Sequence, residues 1–309
     1  TKLQLGVGCG DGGELVELER AEVDLNRGAA RILEEIQRAG CELIARRQIE
    51  RIGIGFGGPV DAASGRTICS HQVDGWEDFD LAGWVGEALG RPAVIGNDCD
   101  LAALAEARFG AGRGWERVFF LTVGTGVGGD FVNGGKLDGG GRPAITEIGH
   151  LRTGLEAVEP GATVESISSG TGIASAARVR VGGAETAEES MRDVGDLLER
   201  CKQDVESITA KIVAEAAAEG NAIAVAVLNR ATRTLGWAIG QAITLLAPEV
   251  MVIGGGASLI GDELFLKPIK RAVSEYVFPP LADSYVILPA ELGELVVVHG
   301  ALAIAADEA

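Results

Sequence analysis

Cysteine and histidine are scarce in this chain: 309 residues contain five of the first and three of the second. The cysteines stand singly at Cys9, Cys41, Cys69, Cys99 and Cys201, with no Cys-x-x-Cys pair. That pattern excludes a disulfide framework and points to a reducing cytoplasm. No cysteine lies between Cys99 and Cys201, and only His150 falls between His71 and His299, so a metal site at His150 would lack nearby partners. Basic charge is also sparse. The 27 Lys and Arg face 45 Asp and Glu, giving a net charge of −18. Nucleic acid and anionic membrane surfaces are poor partners for such a chain. Long apolar runs are missing too. The uncharged stretch Thr234 to Pro248 is too short to span a bilayer and contains Gln241. No signal peptide is read at the start.

Apolar residues and glycine are plentiful instead. Hydrophobic residues make up 47% of the chain, enough for a sizeable core and too many for disorder. The length suits two domains of about 150 residues each. The 46 glycines follow no G-x-y period, so they signal tight turns or backbone-lined ligand loops, not collagen.

The periodicity predicts strands at Lys2–Val7 and within ELVELERAEV, then a helix from Asn26 with Ala29, Ile32, Ile36, Ala39 and Leu43 on one face. A strand at Ile52–Phe56 completes a βαβ unit of a parallel sheet. The strand Ala93–Ile95 hands over to a helix at Asn97-Asp98, and the strand Val118–Val123 follows a glycine-rich stretch. Helices are expected over 187–201, 207–218, 221–246 and about 262–277, with strands at Val250–Ile253, Val286–Leu288 and Val296–Val298.

Four places could carry chemistry. Gly124-Thr125-Gly126-Val127-Gly128-Gly129 lies between strands, where backbone N–H groups can approach phosphate closely, although a β-hairpin turn would use the same glycines. Neither a dinucleotide fingerprint nor a Walker A loop fits it, because a strand follows and no Gly-Lys-Ser/Thr ends it. Gly254-Gly255-Gly256 after a buried strand suits a nucleotide or a plain strand-to-helix turn. Asp98 could accept a proton from a substrate hydroxyl, or cap a helix. Glu147-Ile148-Gly149-His150 sets two polar side chains three residues apart after a glycine run.

Order and spacing join these places. GIGFGGPVD, GNDCDLAALAEARFGAGRG, LTVGTGVGGDFVNGGKLDGGGRPAITEIGH, VESISSGTGIA and LAPEVMVIGGGAS together resemble the ROK family of repressors, open reading frames and sugar kinases. The resemblance covers nearly the whole chain and is most specific over Leu121 to His150. It implies an α/β, actin-like (ribonuclease H-like) ATPase fold of two domains, with ATP and sugar in the cleft between them. Residues 1–112 would form the N-terminal sugar and phosphate domain, rejoined by a C-terminal helix at 300–309. Residues 113–299 would form the nucleotide-binding and dimerisation domain of a homodimer. Asp98 matches the catalytic base and Asn97 its sugar-binding neighbour. Gly58, Glu147, His150 and Glu165 match sugar contacts. Gly124, Thr125 and Gly126 match the phosphate loop, and Gly254, Gly255 and Gly256 the adenosine side.

Three departures from the family pattern stand out. The family opens with Asp-x-Gly-Gly-Thr-Lys, a turn that handles phosphate and Mg²⁺; Thr1-Lys2 match only its end, so the chain is expected to begin inside it. Many members carry a cysteine-rich zinc loop after Glu-x-Gly-His, where this chain has LRTGLEAVEPGATVES, so no structural zinc and no metal ligands are expected. Gly57 replaces the proline usual in the sugar loop. The resemblance implies a glucokinase-like enzyme phosphorylating the primary hydroxyl of a hexose or N-acetylhexosamine with ATP and Mg²⁺. The alternative is a catalytically inactive sugar-binding or regulatory protein of the same fold. A DNA-binding repressor would need a winged-helix domain for which there is no room before the first strand.

Overall fold

The computed structural model describes residues 2–24, 27–70, 73–139, 145–183 and 188–307. In chain order its elements begin with β1 (Lys2–Val7), β2 (Glu17–Glu22), α1 (Gly28–Arg46), β3 (Ile52–Phe56), β4 (Val60–Asp61) and β5 (Arg66–Thr67). Then come α2 (Leu81–Leu89), β6 (Ala93–Asn97), α3 (Asp98–Phe109), β7 (Arg117–Val123), β8 (Val127–Asn133) and β9 (Lys136–Leu137). They are followed by α4 (Val164–Ser168), α5 (Gly170–Gly182), α6 (Glu188–Arg200), α7 (Ala210–Ala218) and α8 (Ala222–Leu246). The chain closes with β10 (Val250–Gly254), α9 (Lys267–Tyr276), β11 (Val286–Pro289) and α10 (Val296–Asp307). Among the described residues no single helix is long and apolar enough to cross a membrane.

Contacts divide the chain into two compact units. One comprises Thr1–Glu116, Asp130–Ile145 and Glu291–Ala309; the other comprises Arg117–Gly129 and Thr146–Ala290. This differs from a simple split at 112 with a return at 300. The segment Asp130–Ile145 joins the first unit, where the Arg108 guanidinium at the end of α3 donates to the Gly135 carbonyl at 2.8 Å. The return starts at Glu291 because Val296–Val298, expected as a strand, is the first turn of α10. A short β-branched run reads alike in a strand and a buried helix. Here glycines make room for it: side chains added at Gly55 and Gly6 would strike Val297 and Val298.

In the first unit β1 and β2 form an antiparallel ribbon, and β3 pairs parallel with β6 from Ile52↔Ala93 to Phe56↔Asn97. Helix α1 buries Ala29, Ala39 and Leu43, while its outer face carries the Arg38–Glu35 and Arg38–Glu42 ion pairs. Its neighbours α2, β3 and β6 enclose Phe56, Trp76, Leu81, Val85 and Ile95. Trp76 meets Phe56 edge-on at 5.4 Å and Phe79 at 5.6 Å. Helix α10 packs so closely here that backbone touches backbone. A Cβ at Gly53 would fall 1.8 Å from the Ala301 carbonyl oxygen, and one at Gly300 would fall 2.1 Å from that of Leu101. Neither carbonyl can rotate away as a side chain could. Gly300→Ala is therefore expected to destabilise the protein by about 1–3 kcal/mol or more, read as a lower urea midpoint. An unchanged midpoint would show that α10 is not so closely seated.

The second unit is built on the parallel strands β11, β10 and β7, with β10 paired to both of the others. Every residue of β10 is buried, as the two covered faces of a parallel strand require. Helices α5 to α8 close over Ile173, Leu197, Ile208, Val213 and Leu228. The helix expected from Ser207 starts at Ala210, because the Thr209 hydroxyl caps it through Ile212 N–H at 3.3 Å. Asp262–Leu266 forms one wider turn before α9.

Candidate active site

In the first unit, the parallel pairing of β3 and β6 sets their carboxyl ends side by side. Asn97 ends β6 in extended backbone and caps α3, its Oδ1 accepting from Cys99 N–H at 2.8 Å and Asp100 N–H at 3.3 Å. Its amide also donates to the Gly58 carbonyl at 2.8 Å, holding the loop after β3. A Cβ on Gly58 would lie 2.7 Å from the Cys69 carbonyl oxygen, so glycine is required there.

With the cap supplied by Asn97, Asp98 is the first residue of the helix proper. Its Oδ1 accepts from Cys99 N–H at 2.9 Å. Its Oδ2 lies 3.5 Å from the point a Gly57 side chain would occupy, so the missing proline leaves space beside the carboxylate. Asp98 is open to solvent at its surface. The dense protein around it nevertheless raises its pKa by desolvation, only partly offset by the N–H groups of Cys99 and of Asp98 itself. The result is a reachable carboxylate that holds a proton more readily than an ordinary aspartate.

In the second unit, Gly124-Thr125-Gly126 turns between β7 and β8. The turn is closed by Gly124 N–H on the Gly126 carbonyl at 2.9 Å. The start of α5 grips it from behind: Gly170 N–H donates to the Gly124 carbonyl at 2.8 Å and the Thr171 hydroxyl to the Thr125 carbonyl at 2.9 Å. Glu165 Oε2 accepts from Val127 N–H at 2.8 Å, and a Cβ on Gly126 would lie 2.5 Å from that same oxygen. The glycine is thus what lets Glu165 reach the turn. Glu147 precedes a tight turn over Ile148–His150. Burial of its carboxyl raises its pKa; His150 offsets this and the Glu165 carboxylate adds to it. Glu147, His150 and Glu165 therefore share one electrostatic neighbourhood.

A cavity of about 1020 Å³ lies within the same unit, lined among others by Gly124, Thr125, Thr171, Arg178, Lys211 and Gly256. It unites two sites read separately in the sequence. Of the three later glycines, Gly256 reaches the cavity, while the others serve packing. Gly254 has no room for a Cβ beside the Phe120 ring and Ala290, and Gly255, at φ +84°, presses on the Val123 backbone. Thr171, Arg178 and Lys211 escaped the reading of the sequence. The SSGTG run at 168–172 was the one signal, for Thr171; Arg178 shares α5 with Arg180 and Lys211 stands alone on α7, and neither has a periodicity to reveal it. Arg178 is held by the Ile208 carbonyl at 2.9 Å ahead of α7. Thr1 lies outside the described residues, and Lys2 is placed by its backbone in β1 opposite Glu22.

A model of the ROK family matches residues 17–308. The chain belongs to the ROK family. It is 35% identical over 290 residues to the glucokinase of Halalkalibacterium halodurans, covering 91% of this chain and 85% of that one. The ROK glucokinase of Streptomyces griseus, solved with glucose and AMPPNP, matches at TM-score 0.80 and 28% identity over 99% of this chain and 96% of that one. A ROK transcriptional regulator matches at TM-score 0.79 and 23% identity over 98% of this chain and 74% of that one, a likeness of fold alone. This ROK protein thus has the two-domain, actin-like α/β fold. Among its described residues no three His, Cys, Asp or Glu side chains gather as a metal-holding group.

Proposed function

We propose that this ROK protein is an ATP-dependent sugar kinase that phosphorylates the primary hydroxyl of a hexose. One observation carries the reading: Asp98 is relieved of capping by Asn97, is reachable, and is tuned toward proton uptake by its surroundings. Asp98 takes the proton of the sugar hydroxyl as that oxygen attacks the γ-phosphorus of ATP and ADP departs. Asn97 and Gly58 hold the loop beside the base. Glu147, His150 and Glu165 accept from or donate to other sugar hydroxyls.

The cavity suits a nucleotide in size and in lining. Ligand pockets run to roughly 1,000 Å³, and here a backbone turn meets the cationic Arg178 and Lys211. Gly124, Thr125 and Gly126 would face the phosphates, and Gly256, the one of the three later glycines that reaches the cavity, would face the adenosine. ATP supplies the phosphoryl group. Mg²⁺ would arrive on its phosphates, keeping most of its waters, which fits a site without a dedicated acidic cage. Five cysteines scattered singly, with no Cys-x-x-Cys pair, suit a cytoplasmic setting, and the family resemblance supports a homodimer.

The test is ADP release from Mg-ATP across a panel of hexoses and N-acetylhexosamines, glucose first because two of the relatives are glucokinases. Turnover with one sugar names the substrate. Sugar binding by calorimetry without turnover would favour an inactive sugar-binding protein. The raised pKa of Asp98 also predicts the pH profile. The base works only when ionised, so kcat/KM should climb about tenfold per pH unit below that pKa and level off above it. The acid limb should lie above pH ~4, the range of an ordinary aspartate. A limb at or below that range would remove Asp98 from the role.

A further inference from the structure

Residues 151 to 164 leave and rejoin the second unit at one neck. Val164 N–H donates to the Leu151 carbonyl at 3.0 Å, and Arg152 bridges to Thr163 as an isolated antiparallel pair. Beyond the neck the loop has little apolar filling, since Leu155 and Val158 are 99% and 79% exposed. One side chain ties its far end down. Arg152 donates through Nη1 to the carbonyls of Glu159 and Pro160, the latter at 2.6 Å. A planar guanidinium suits two neighbouring main-chain acceptors better than a lysine ammonium does.

What flanks the neck gives the tie its meaning. On the incoming side stands the turn Ile148–His150, closed by Leu151 N–H on the Ile148 carbonyl, with Glu147 just before it. On the outgoing side Thr163 caps α4 through Ser166 N–H at 3.2 Å and places Glu165 in the first turn. Glu147 already feels the charge of the Glu165 carboxylate, so a small change in their spacing would alter Glu147.

We propose that Arg152 is a positioning residue for the sugar: by closing the 152–163 loop it fixes Glu147 and His150 against Glu165. The inference rests on the kinase reading above. Its test compares wild type, Arg152→Ala and Arg152→Lys by kinetics with sugar and ATP varied separately. Digestion with a glutamate-specific protease, which can cut the loop after Glu156 but not at the Glu159–Pro160 bond, runs in parallel. Arg152→Ala should raise the sugar KM about tenfold, as misplacement of binding groups does, leave the ATP KM within about twofold, and speed loop cleavage. Arg152→Lys should fall between. Faster cleavage with an unchanged sugar KM would overturn the proposal, and so would no change in either. If wild type releases no ADP with any sugar, the kinase reading fails by itself, and calorimetry with the same sugars takes over. A weaker sugar affinity in Arg152→Ala then supports the positioning role; equal affinities, or no sugar binding by wild type, overturn it.

Discussion

Replacing Asp98 by Asn is expected to lower kcat by about 10²–10⁴, the usual contribution of a general base. The substitution preserves the shape of the site. Asn retains an oxygen to accept from Cys99 N–H, and Asn97 still caps α3, so the helix and the Gly58 loop should stay in place. What is lost is the capacity to take a proton. The KM for sugar should therefore move little compared with kcat. Stability should respond in the opposite direction. Because the folded pKa of Asp98 lies above the unfolded value, the folded state holds the proton more tightly, and stability falls as pH rises between those two values. Above that window the full penalty of an ionised, desolvated Asp98 is present. A neutral Asn avoids it, so Tm at pH 7 should equal or exceed that of wild type. Near wild-type turnover in Asp98→Asn would refute the assignment, and a large fall in Tm would make Asp98 a structural residue.

The second large effect is on stability and involves Glu106. This carboxylate, on the helix that begins with Asp98, is fully buried. Its oxygens accept from Ala111 N–H at 3.0 Å, from Glu291 N–H at 3.0 Å and from Leu292 N–H at 2.8 Å. Gly110 is part of the arrangement, because a Cβ there would lie 2.1 Å from Glu106 Oε2. Glu106→Ala strands three backbone donors at once. Each orphaned donor costs about 1–3 kcal/mol when buried, and Ala111 and Leu292 are half-buried while Glu291 is exposed, so a total of roughly 2–5 kcal/mol is expected. Because the chain has two units and need not unfold in one step, hydrogen exchange is the better measurement. The amides of Ala111, Glu291 and Leu292 should lose protection first. Glu106→Gln, with one acceptor oxygen and one misplaced donor group, should fall between. Unchanged protection at all three amides would show that Glu106 is not their anchor.

These two carboxylates also mark what could be read from the sequence. Asp98 was legible because its setting is local: an apolar strand, a polar pair and an apolar helix face follow one another within a few residues. The sequence alone left open which of the pair served as the cap. That was decided by the Gly58 carbonyl, which takes the Asn97 amide. Glu106 was invisible, since its partners Glu291 and Leu292 lie 185 and 186 positions away and contribute only backbone. Arg178 and Lys211 were missed for the same reason, their shared cavity being made by tertiary packing. The glycine loop at 124–126 was recognised by composition, but its dependence on Glu165 and Thr171 follows from contacts that no periodicity records.

The seating of α10 has a consequence for how the protein is made. A chain leaves the ribosome from its amino end, and domains tend to fold as they emerge. Residues 146–290 supply most of the second unit in one continuous stretch and can settle during synthesis. The first unit must wait. Its strand at 52–56 and its helix at 98–109 keep a bare seam, shaped by Gly53 and the Leu101 carbonyl, until residues 296–307 arrive to cover it. The half of the protein that is translated first is therefore the half that finishes last, and its open seam is where a chaperone would be needed.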